Sequence, residues 1–381
     1  MTTAEAPLPS QRRPLPTPAR AGLVIAFIYL FLIGVSSLEN GIKVMGADVQ
    51  ETLFSTVTNP FAGLFVGILA TVLVQSSSAS TSVIVGLVAS GAVGVDAAVP
   101  MIMGANLGTT VTNTLVALGH VRQSAEFRRA LAAATVHDFF NVFAVALLLP
   151  LELTTGILGE AAEWLSERLV GASGTEWRSP VKDLVSHPVG WIQDLGEAFG
   201  ATGTVLGVLM VVAGILVILV SLTFITKNMR KLVADRVERS VNALLGKGGG
   251  LMAMALGVVI TVTVQSSSIT TSILVPLTAA GVLSLQNAYP VTLGANVGTT
   301  ITALLAAMAA SRPEALTIAF VHTLFNVTGI AIIYPVRVVR ELPIRAAEML
   351  ADLASERRSW AIGYVVGMFI VVPALGVAIL R

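Results

Sequence analysis

Two long stretches without charge limit what this chain can fold into. Residues 52–95 contain no Asp, Glu, Lys or Arg over 44 residues, and residues 248–311 contain none over 64. Only 12% of the 381 residues are charged and 55% are hydrophobic, whereas soluble domains carry roughly 25% charged residues. A soluble fold of this length needs far more surface charge. The sequence therefore predicts an all-α polytopic membrane protein whose apolar surface is solvated by lipid.

Composition also narrows the possible partners. The chain has no cysteine, which excludes a disulfide framework and a thiolate metal site. Aromatic residues make up 6% and the net charge is +1, which argues against a nucleic-acid partner. We expect no cofactor and no transition metal, and no enzyme activity.

Apolar runs of about 20 residues predict crossing helices. Seven are expected, near residues 21–38, 98–119, 128–150, 204–226, 288–310, 314–334 and 360–380. The runs 53–95 and 250–286 are each long enough for two helices, but each has a Ser/Thr cluster at its middle. A polar cluster is tolerated least at the middle of a span that faces lipid. We therefore expect a re-entrant helical hairpin in each run, which enters the protein and turns back.

Charges between the spans predict the topology. Residues 227–247 carry six basic and two acidic side chains, whereas residues 160–200 carry seven acidic and three basic ones. The positive-inside rule makes 227–249 a cytoplasmic linker and 151–203 an extracellular loop. Residues 1–20, with five prolines, are expected to form a disordered cytoplasmic tail. This map places the protein in the inner (plasma) membrane, with the N-terminus inside and the C-terminus outside. The basic segment 336–358 is expected to be an interfacial amphipathic helix.

The chain contains an internal repeat. Residues 71–82 recur as 261–272 at an offset of 190, with nine of twelve identical. At the same offset Gly-Ala-Asn-x-Gly-Thr-Thr recurs, and Val-His-x-x-Phe-Asn recurs at an offset of 185. Three predicted crossings separate the two hairpins, and an odd number inverts one half relative to the other. We therefore expect inverted repeats, at 21–150 and 204–381, an architecture that places the binding site where broken helices meet near the midplane.

The middle of each hairpin predicts an anion site. A helix that breaks there presents free backbone N–H groups and a positive dipole end, and serine hydroxyls add donors. The expected anion-binding residues are Gln75, Ser76, Ser77, Ser78, Gln265, Ser266, Ser267 and Ser268. The competing interpretation is that these hydroxyls bond carbonyls one turn back or pack helices together.

An anion held by neutral donors needs a compensating charge, and sodium ions bound alongside would supply it. Helix carbonyls, hydroxyls and amide oxygens suit Na⁺. The candidate sodium-binding residues are Ser80, Thr81, Asn106, Thr109, Thr110, Asp138, Asn141, Thr271, Asn296, Thr299, Thr300 and Asn326. Gly104 and Gly108 are expected to pack closely against another helix, and the matched pair His137 and His322 is interpreted as structural.

Asp138 distinguishes the two halves, because its counterpart is Thr323. It is an acid within an apolar run, where ionisable groups are costly and usually functional. A pairing with Arg128, Arg129 or His137 is the alternative. About ten helical residues span about 15 Å, which makes a pairing with Arg128 awkward, so a cation-binding role is favoured.

The two Gln-Ser-Ser-Ser blocks, the two Gly-Ala-Asn-x-Gly-Thr-Thr blocks and residues 136–141 resemble the type II sodium-dependent phosphate cotransporters, the solute carrier 34 family. The resemblance implies sodium-driven, electrogenic symport of inorganic phosphate by alternating access, since electrogenic members have Asp at the position of Asp138. It also implies that phosphate and sodium bind between the two Gln-Ser-Ser-Ser segments, at the tips of the paired hairpins. The short, cysteine-free external loop departs from animal members and is expected of a bacterial one.

Three alternatives remain. The first alternative is a sodium-coupled carrier of sulfate or arsenate, because neutral donors do not discriminate among tetrahedral anions. A membrane-embedded Ser/His hydrolase is the second, although the sequence has no Gly-x-Ser-x-Gly or His-Glu-x-x-His motif. A structural or receptor protein is the third. The oligomeric state is open, with a homodimer among the options.

Overall fold

The computed structural model describes residues 16–56, 59–119, 124–171, 181–247 and 249–380, and all regular secondary structure in these ranges is helical. In chain order the α-helices are α1 (Thr17–Val44), α2 (Ala47–Thr56), α3 (Pro60–Val74), α4 (Ser77–Ser90), α5 (Val95–Leu107), α6 (Val111–Leu118), α7 (Ser124–Thr155), α8 (Ile157–Gly171), α9 (Lys182–Ala198), α10 (Gly203–Lys247), α11 (Gly250–Val264), α12 (Ser267–Ala279), α13 (Leu285–Ala309), α14 (Glu314–Ile333), α15 (Arg337–Glu356), α16 (Ser359–Val366) and α17 (Val372–Leu380). A 3₁₀ turn (Gly108–Thr110) joins α5 to α6, and a π-helical turn (Gly367–Val371) joins α16 to α17.

Six helical stretches in the described ranges are long and apolar enough to cross a membrane. They are α1, α7, the part of α10 up to Leu232, α13, α14 and the stretch Ser359–Leu380. Six of the seven expected spans coincide with them. The seventh, 98–119, was expected as one helix but is broken by the 3₁₀ turn.

The break in 98–119 coincides with a contact that the second half cannot make. Asn113, just beyond the break, accepts hydrogen bonds from Thr271 and Ser272 of α12. The equivalent helix α13 keeps both glycines, as Gly294 and Gly298, but has Ala303 in place of Asn113 and runs unbroken. An alanine side chain has no polar atom to make this contact.

The prediction that residues 1–20 form a disordered tail is wrong for residues 17–20. Residues 1–15 lie outside the described residues, but α1 already begins at Thr17. Pro18 occupies the first turn of this helix, where the missing N–H would have no intrahelical partner. A proline in the first turn therefore does not prevent a helix.

The segments predicted as loop and linker contain helices. Within 151–203 the chain forms the end of α7, then α8 and α9, with 172–180 outside the described residues. Within 227–249, α10 continues to Lys247. The segment 336–358 forms the expected amphipathic helix α15, which buries Ile344, Ala347 and Ala351 on one face.

Glycines bring corresponding helices of the two halves together in the same way. A Cβ on Gly104 of α5 would lie 2.0 Å from the carbonyl oxygen of Leu64 in α3. A Cβ on Gly294 of α13 would lie 1.9 Å from the carbonyl oxygen of Met254 in α11. Both residues of the second pair lie 190 positions after those of the first, so the sequence repeat is also a repeat of helix packing. The expected packing role of Gly104 is confirmed.

Glycines also allow α1 and α10 to pack closely, a contact that was not predicted from the sequence. A Cβ on Gly34 would lie 2.9 Å from the carbonyl oxygen of Gly214, and one on Gly41 would lie 2.8 Å from that of Gly207. The contacting residue numbers increase along α1, from 34 to 41, and decrease along α10, from 214 to 207. The two helices are therefore antiparallel. Both carry glycines seven residues apart, which was the available signal.

Candidate functional site

Both Gln-Ser-Ser-Ser segments interrupt a helix in the same conformation. Gln75 lies between α3 and α4 with φ 57°, and Gln265 lies between α11 and α12 with φ 58°; they are the only non-glycine residues with positive φ in the described ranges. A left-handed conformation costs a non-glycine residue about 1–2 kcal/mol. Each side-chain Nε2 donates to a carbonyl three residues back, that of Val72 at 2.5 Å and that of Val262 at 2.6 Å. These bonds satisfy carbonyls that the end of the helix leaves free.

The serine after each glutamine caps the next helix. The Ser76 hydroxyl accepts from the backbone N–H of Ala79 at 3.2 Å, and the Ser266 hydroxyl accepts from that of Ile269 at 3.3 Å. The first four N–H groups of a helix have no intrahelical acceptor. The cap accepts from the third residue of each helix. The backbone N–H groups of the first two residues, Ser77 and Ser78 in α4 and Ser267 and Ser268 in α12, are therefore left as donors for an anion.

The helices on either side of the second break fold back on each other. The hydroxyls of Thr261 in α11 and Thr270 in α12 are hydrogen-bonded at 2.8 Å. In a continuous helix, nine residues would separate them by about 13.5 Å along the axis. The chain therefore turns back on itself at this break. We call each Gln-Ser-Ser-Ser break a tip.

The two tips line one cavity of about 250 Å³. Besides Val74–Ala79 and Gln265–Ser268, its wall includes Leu219, Leu222, Thr223 and Thr226 of α10, and none of these lining residues is charged. Thr302 of α13 bridges the two tips, since its hydroxyl donates to Gln265 Oε1 at 3.0 Å and lies 3.5 Å from the Ser78 hydroxyl. All eight expected phosphate-binding residues are thus brought together.

Most hydroxyls of the expected sodium set bond a carbonyl of the preceding turn. Ser80 donates to the Ser76 carbonyl at 3.2 Å, Thr81 to the Ser78 carbonyl at 3.2 Å, and Thr271 to the Ser267 carbonyl at 2.9 Å. Thr109, Thr299 and Thr300 do the same within their own helices. Thr110 lies in the 3₁₀ turn. A hydroxyl that donates one turn back keeps its lone pairs, so these contacts leave a ligand role open.

The asparagines of the expected sodium set belong to a buried network with the two histidines. His137 contacts Asn296, and His322 contacts Asn106 with Nε2 and Oδ1 3.3 Å apart. Each histidine thus bonds the asparagine of the opposite half. Asn141 links the two contacts, because it accepts from Asn296 at 2.9 Å and donates to the Asn106 carbonyl at 3.2 Å.

The same network retains unused polar atoms. Asn326 donates to the carbonyl of His322 at 3.0 Å, but its Oδ1 has no hydrogen-bond partner within the described residues. The Nδ2 of Asn106 and the Nδ1 atoms of both histidines are likewise buried without one. Both histidines were interpreted from the sequence as structural, although their matched positions in the two halves were a signal for this network.

Asp138 is fully buried, as expected of an unusual acid in a membrane helix. The hydroxyl of Tyr364 in α16 donates to its Oδ2 at 3.2 Å. Arg128 pairs with Asp352 of α15 instead, which disfavours the alternative that Arg128 neutralises Asp138. Tyr364 was missed because it lies in the last span, beyond the last of the recurring sequence motifs.

Asn113 is a second polar residue that the sequence analysis missed. It is fully buried, and its Oδ1 accepts from Thr271 at 3.0 Å and from Ser272 at 3.1 Å. It holds the second hairpin from the first half of the chain. An asparagine in a charge-free run was the available signal.

These features define a class: a helical membrane protein with two matched helix breaks that together form an uncharged, donor-rich cavity. Comparison with known proteins gives the family. The model of the Na⁺/Pi-cotransporter family matches residues 30–158 and 217–342, and the chain belongs to this family.

Named relatives agree with this assignment. The chain is 34% identical to sodium-dependent phosphate transport protein 2A of Ovis aries, over 96% of this chain and 68% of that protein. It is 34% identical to the Rattus norvegicus protein of the same name, over 93% and 66%. It is 30% identical to sodium-dependent phosphate transport protein 2B of Homo sapiens, over 92% and 64%. The chain thus spans about two thirds of the length of these relatives, and no solved structure matches it.

Proposed function

We propose that this protein carries inorganic phosphate into the cell together with sodium ions, and that phosphate binds between the two Gln-Ser-Ser-Ser tips. The observation that carries the proposal is the shared cavity, where two helix N-termini and their serines converge without any charged lining residue. Family membership and the names of the relatives support phosphate and sodium as the transported pair.

Sodium coupling follows from the electrostatics of this cavity. A phosphate anion held only by neutral donors is poorly compensated in a low-dielectric site. Sodium ions bound at nearby hydroxyl, carbonyl and amide oxygens supply the missing positive charge, so each solute favours binding of the other. We assign this role to the hydroxyl oxygens of Thr81 and Thr271 and to the Oδ1 of Asn326, which has no partner among the described residues.

The transport cycle is proposed to use inverted repeats with re-entrant hairpins. Three observations support this architecture: the identical glycine packing in the two halves, the antiparallel crossing of α1 and α10, and the fold-back of α11 and α12. Inverted halves that meet at one site can expose it alternately to the two sides of a membrane. The basic residues of 227–247 favour the cytoplasmic side for that segment and for the N-terminus, in a plasma membrane.

We assign an additional sodium ion to Asp138. Its carboxylate is a hard-oxygen ligand buried away from lipid, and its counterpart Thr323 lacks a charge. With divalent phosphate, two sodium ions give a neutral cycle and a third gives net inward positive charge. Transport is then electrogenic.

Uptake of ³²P-phosphate into proteoliposomes tests the proposal. An inward sodium gradient should drive accumulation, whereas choline in place of sodium, or a proton gradient alone, should not. Unlabelled phosphate should compete fully. If sulfate or arsenate competed better than phosphate, the carrier would be assigned to that oxyanion; equal uptake in choline would refute sodium coupling.

A further inference from the structure

A second cavity, of about 380 Å³, lies away from the serine tips and shares no lining residue with theirs. Three helices begin at its wall, since Gly250, Gln286 and Arg337 lie in the first turns of α11, α13 and α15. The N-caps of α11 and α15 make no side-chain capping bond. Their first N–H groups and the positive ends of these dipoles favour an anion in this cavity.

Arginine adds a full positive charge. The Arg340 guanidinium lies over the ring of Tyr334, 5.0 Å from its centroid, and no carboxylate pairs with it in the part of the chain described. The nearby Glu341 accepts hydrogen bonds from Arg345 at 2.5 Å and Arg337 at 3.1 Å. These bonds hold the pKa of Glu341 below its usual value, so its charge is already balanced and Arg340 remains available.

A buried hydroxyl in the wall also lacks a partner. Tyr289 is 1% exposed, and its hydroxyl has no hydrogen bond to any described residue. A buried polar group without a partner is unfavourable, and an anionic oxygen in the cavity would accept from it. The corresponding residue of the first half is Val99, so this hydroxyl has no counterpart in the first half.

The outer surface of α15 indicates where the anion comes from. Val338, Leu342, Met349 and Leu353 are exposed on one side of this helix, spaced so that they fall on a single stripe. Arg345 is also exposed on this side, where a long basic side chain can reach the headgroups while its stem lies along apolar surface. Such a stripe on an amphipathic helix lies against acyl chains at the level of the lipid headgroups. Phospholipid headgroups at this depth carry phosphate groups.

We propose that this cavity binds the phosphate group of an anionic phospholipid, held by Arg340, by the Tyr289 hydroxyl and by the N-terminal turns of α11 and α15. The acyl chains extend along the exposed stripe of α15. Because Arg340 is not balanced by a carboxylate, the cavity prefers a lipid with net negative charge over a zwitterionic one.

The test measures the thermal unfolding midpoint of the full-length protein in detergent, titrated with phosphatidylglycerol or phosphatidylcholine in sodium-free choline buffer. Phosphatidylglycerol should stabilise the wild type more than phosphatidylcholine does. Arg340→Ala should weaken the apparent affinity for phosphatidylglycerol about fivefold, the loss expected for one basic side chain at a lipid surface. Tyr289→Phe, which keeps the ring, should also weaken it.

Arg357→Ala is the matched control, because Arg357 lies at the C-terminal end of the same helix and is exposed but does not line the cavity. It should leave the phosphatidylglycerol titration unchanged. An equal loss in Arg357→Ala would reduce the effect to general surface charge and overturn the proposal, as would an unchanged titration in Arg340→Ala. Stabilisation by inorganic phosphate in choline buffer that depends on Arg340 would assign the cavity to free phosphate instead.

Discussion

At the scale of single residues, Asp138 is the group whose replacement separates charge movement from phosphate binding. It is buried in α7 and does not line the cavity between the tips. Asp138→Gly should keep phosphate uptake measurable but make it insensitive to an inside-negative potential imposed with valinomycin, because the third sodium ion loses its carboxylate. Uptake by the variant that still rose with voltage as steeply as in the wild type would make Asp138 structural.

Tyr364 is expected to position that carboxylate, since its hydroxyl donates to Asp138 Oδ2. Hydrogen bonds to charged groups contribute about 1.5–3 kcal/mol. In Tyr364→Phe we expect a higher sodium concentration for half-maximal uptake with little change in the phosphate concentration for half-maximal uptake. Trp360→Phe, an exposed change in the same helix, is the control. A change in phosphate dependence alone would contradict the positioning role.

At the scale of helices, the two tips should be jointly necessary. Changing Ser76, Ser77 and Ser78 together to Ala removes one cap and three hydroxyls, and the same change at Ser266–Ser268 removes their counterparts. Removal of one buried hydrogen bond costs about 1–3 kcal/mol, so either triple variant should abolish measurable uptake. Ser186→Ala, exposed on α9, controls for expression and reconstitution. Near-normal phosphate affinity in one triple variant would remove that tip from the site.

Helix packing makes a separate prediction about stability. Gly67→Ala would place a Cβ 2.1 Å from the carbonyl oxygen of Met101, and Gly257→Ala would place one 2.0 Å from that of Val291. Overpacking of this kind costs about 1–3 kcal/mol, and the two variants should lower the thermal midpoint in detergent by similar amounts. Gly363→Ala meets nothing within 4 Å and should not lower it. Unequal decreases in the matched pair would show that the two halves pack differently.

At the scale of the whole molecule, the crossed histidine–asparagine contacts tie the halves together. A double-mutant cycle on His137→Ala and Asn296→Ala should give a coupling of about 0.6–1.7 kcal/mol, the range for hydrogen bonds between membrane helices. The pair His322 and Asn106 should couple comparably. His137→Ala combined with Thr154→Ala, at the far end of α7, should show none. If the effects of the two single mutations were simply additive, with no coupling free energy, this network would not join the halves.

The sequence alone determined the membrane class, six of the seven spans and the residues of both tips. It could do so because lipid excludes charge over long runs and because the repeat marks the helix breaks twice. Gln75 and Gln265 were identifiable from the chain for that reason.

Tertiary structure decided which side chains meet. Tyr364 reaches Asp138 from 226 positions away, and His137 reaches Asn296 across 159. Asn113, just after the 3₁₀ break, contacts Thr271 of α12, a contact that its counterpart Ala303 cannot make. Apolar periodicity and charge are properties of a segment and can be recognised within it. A contact between distant segments depends on how whole helices pack, and no single segment encodes that packing.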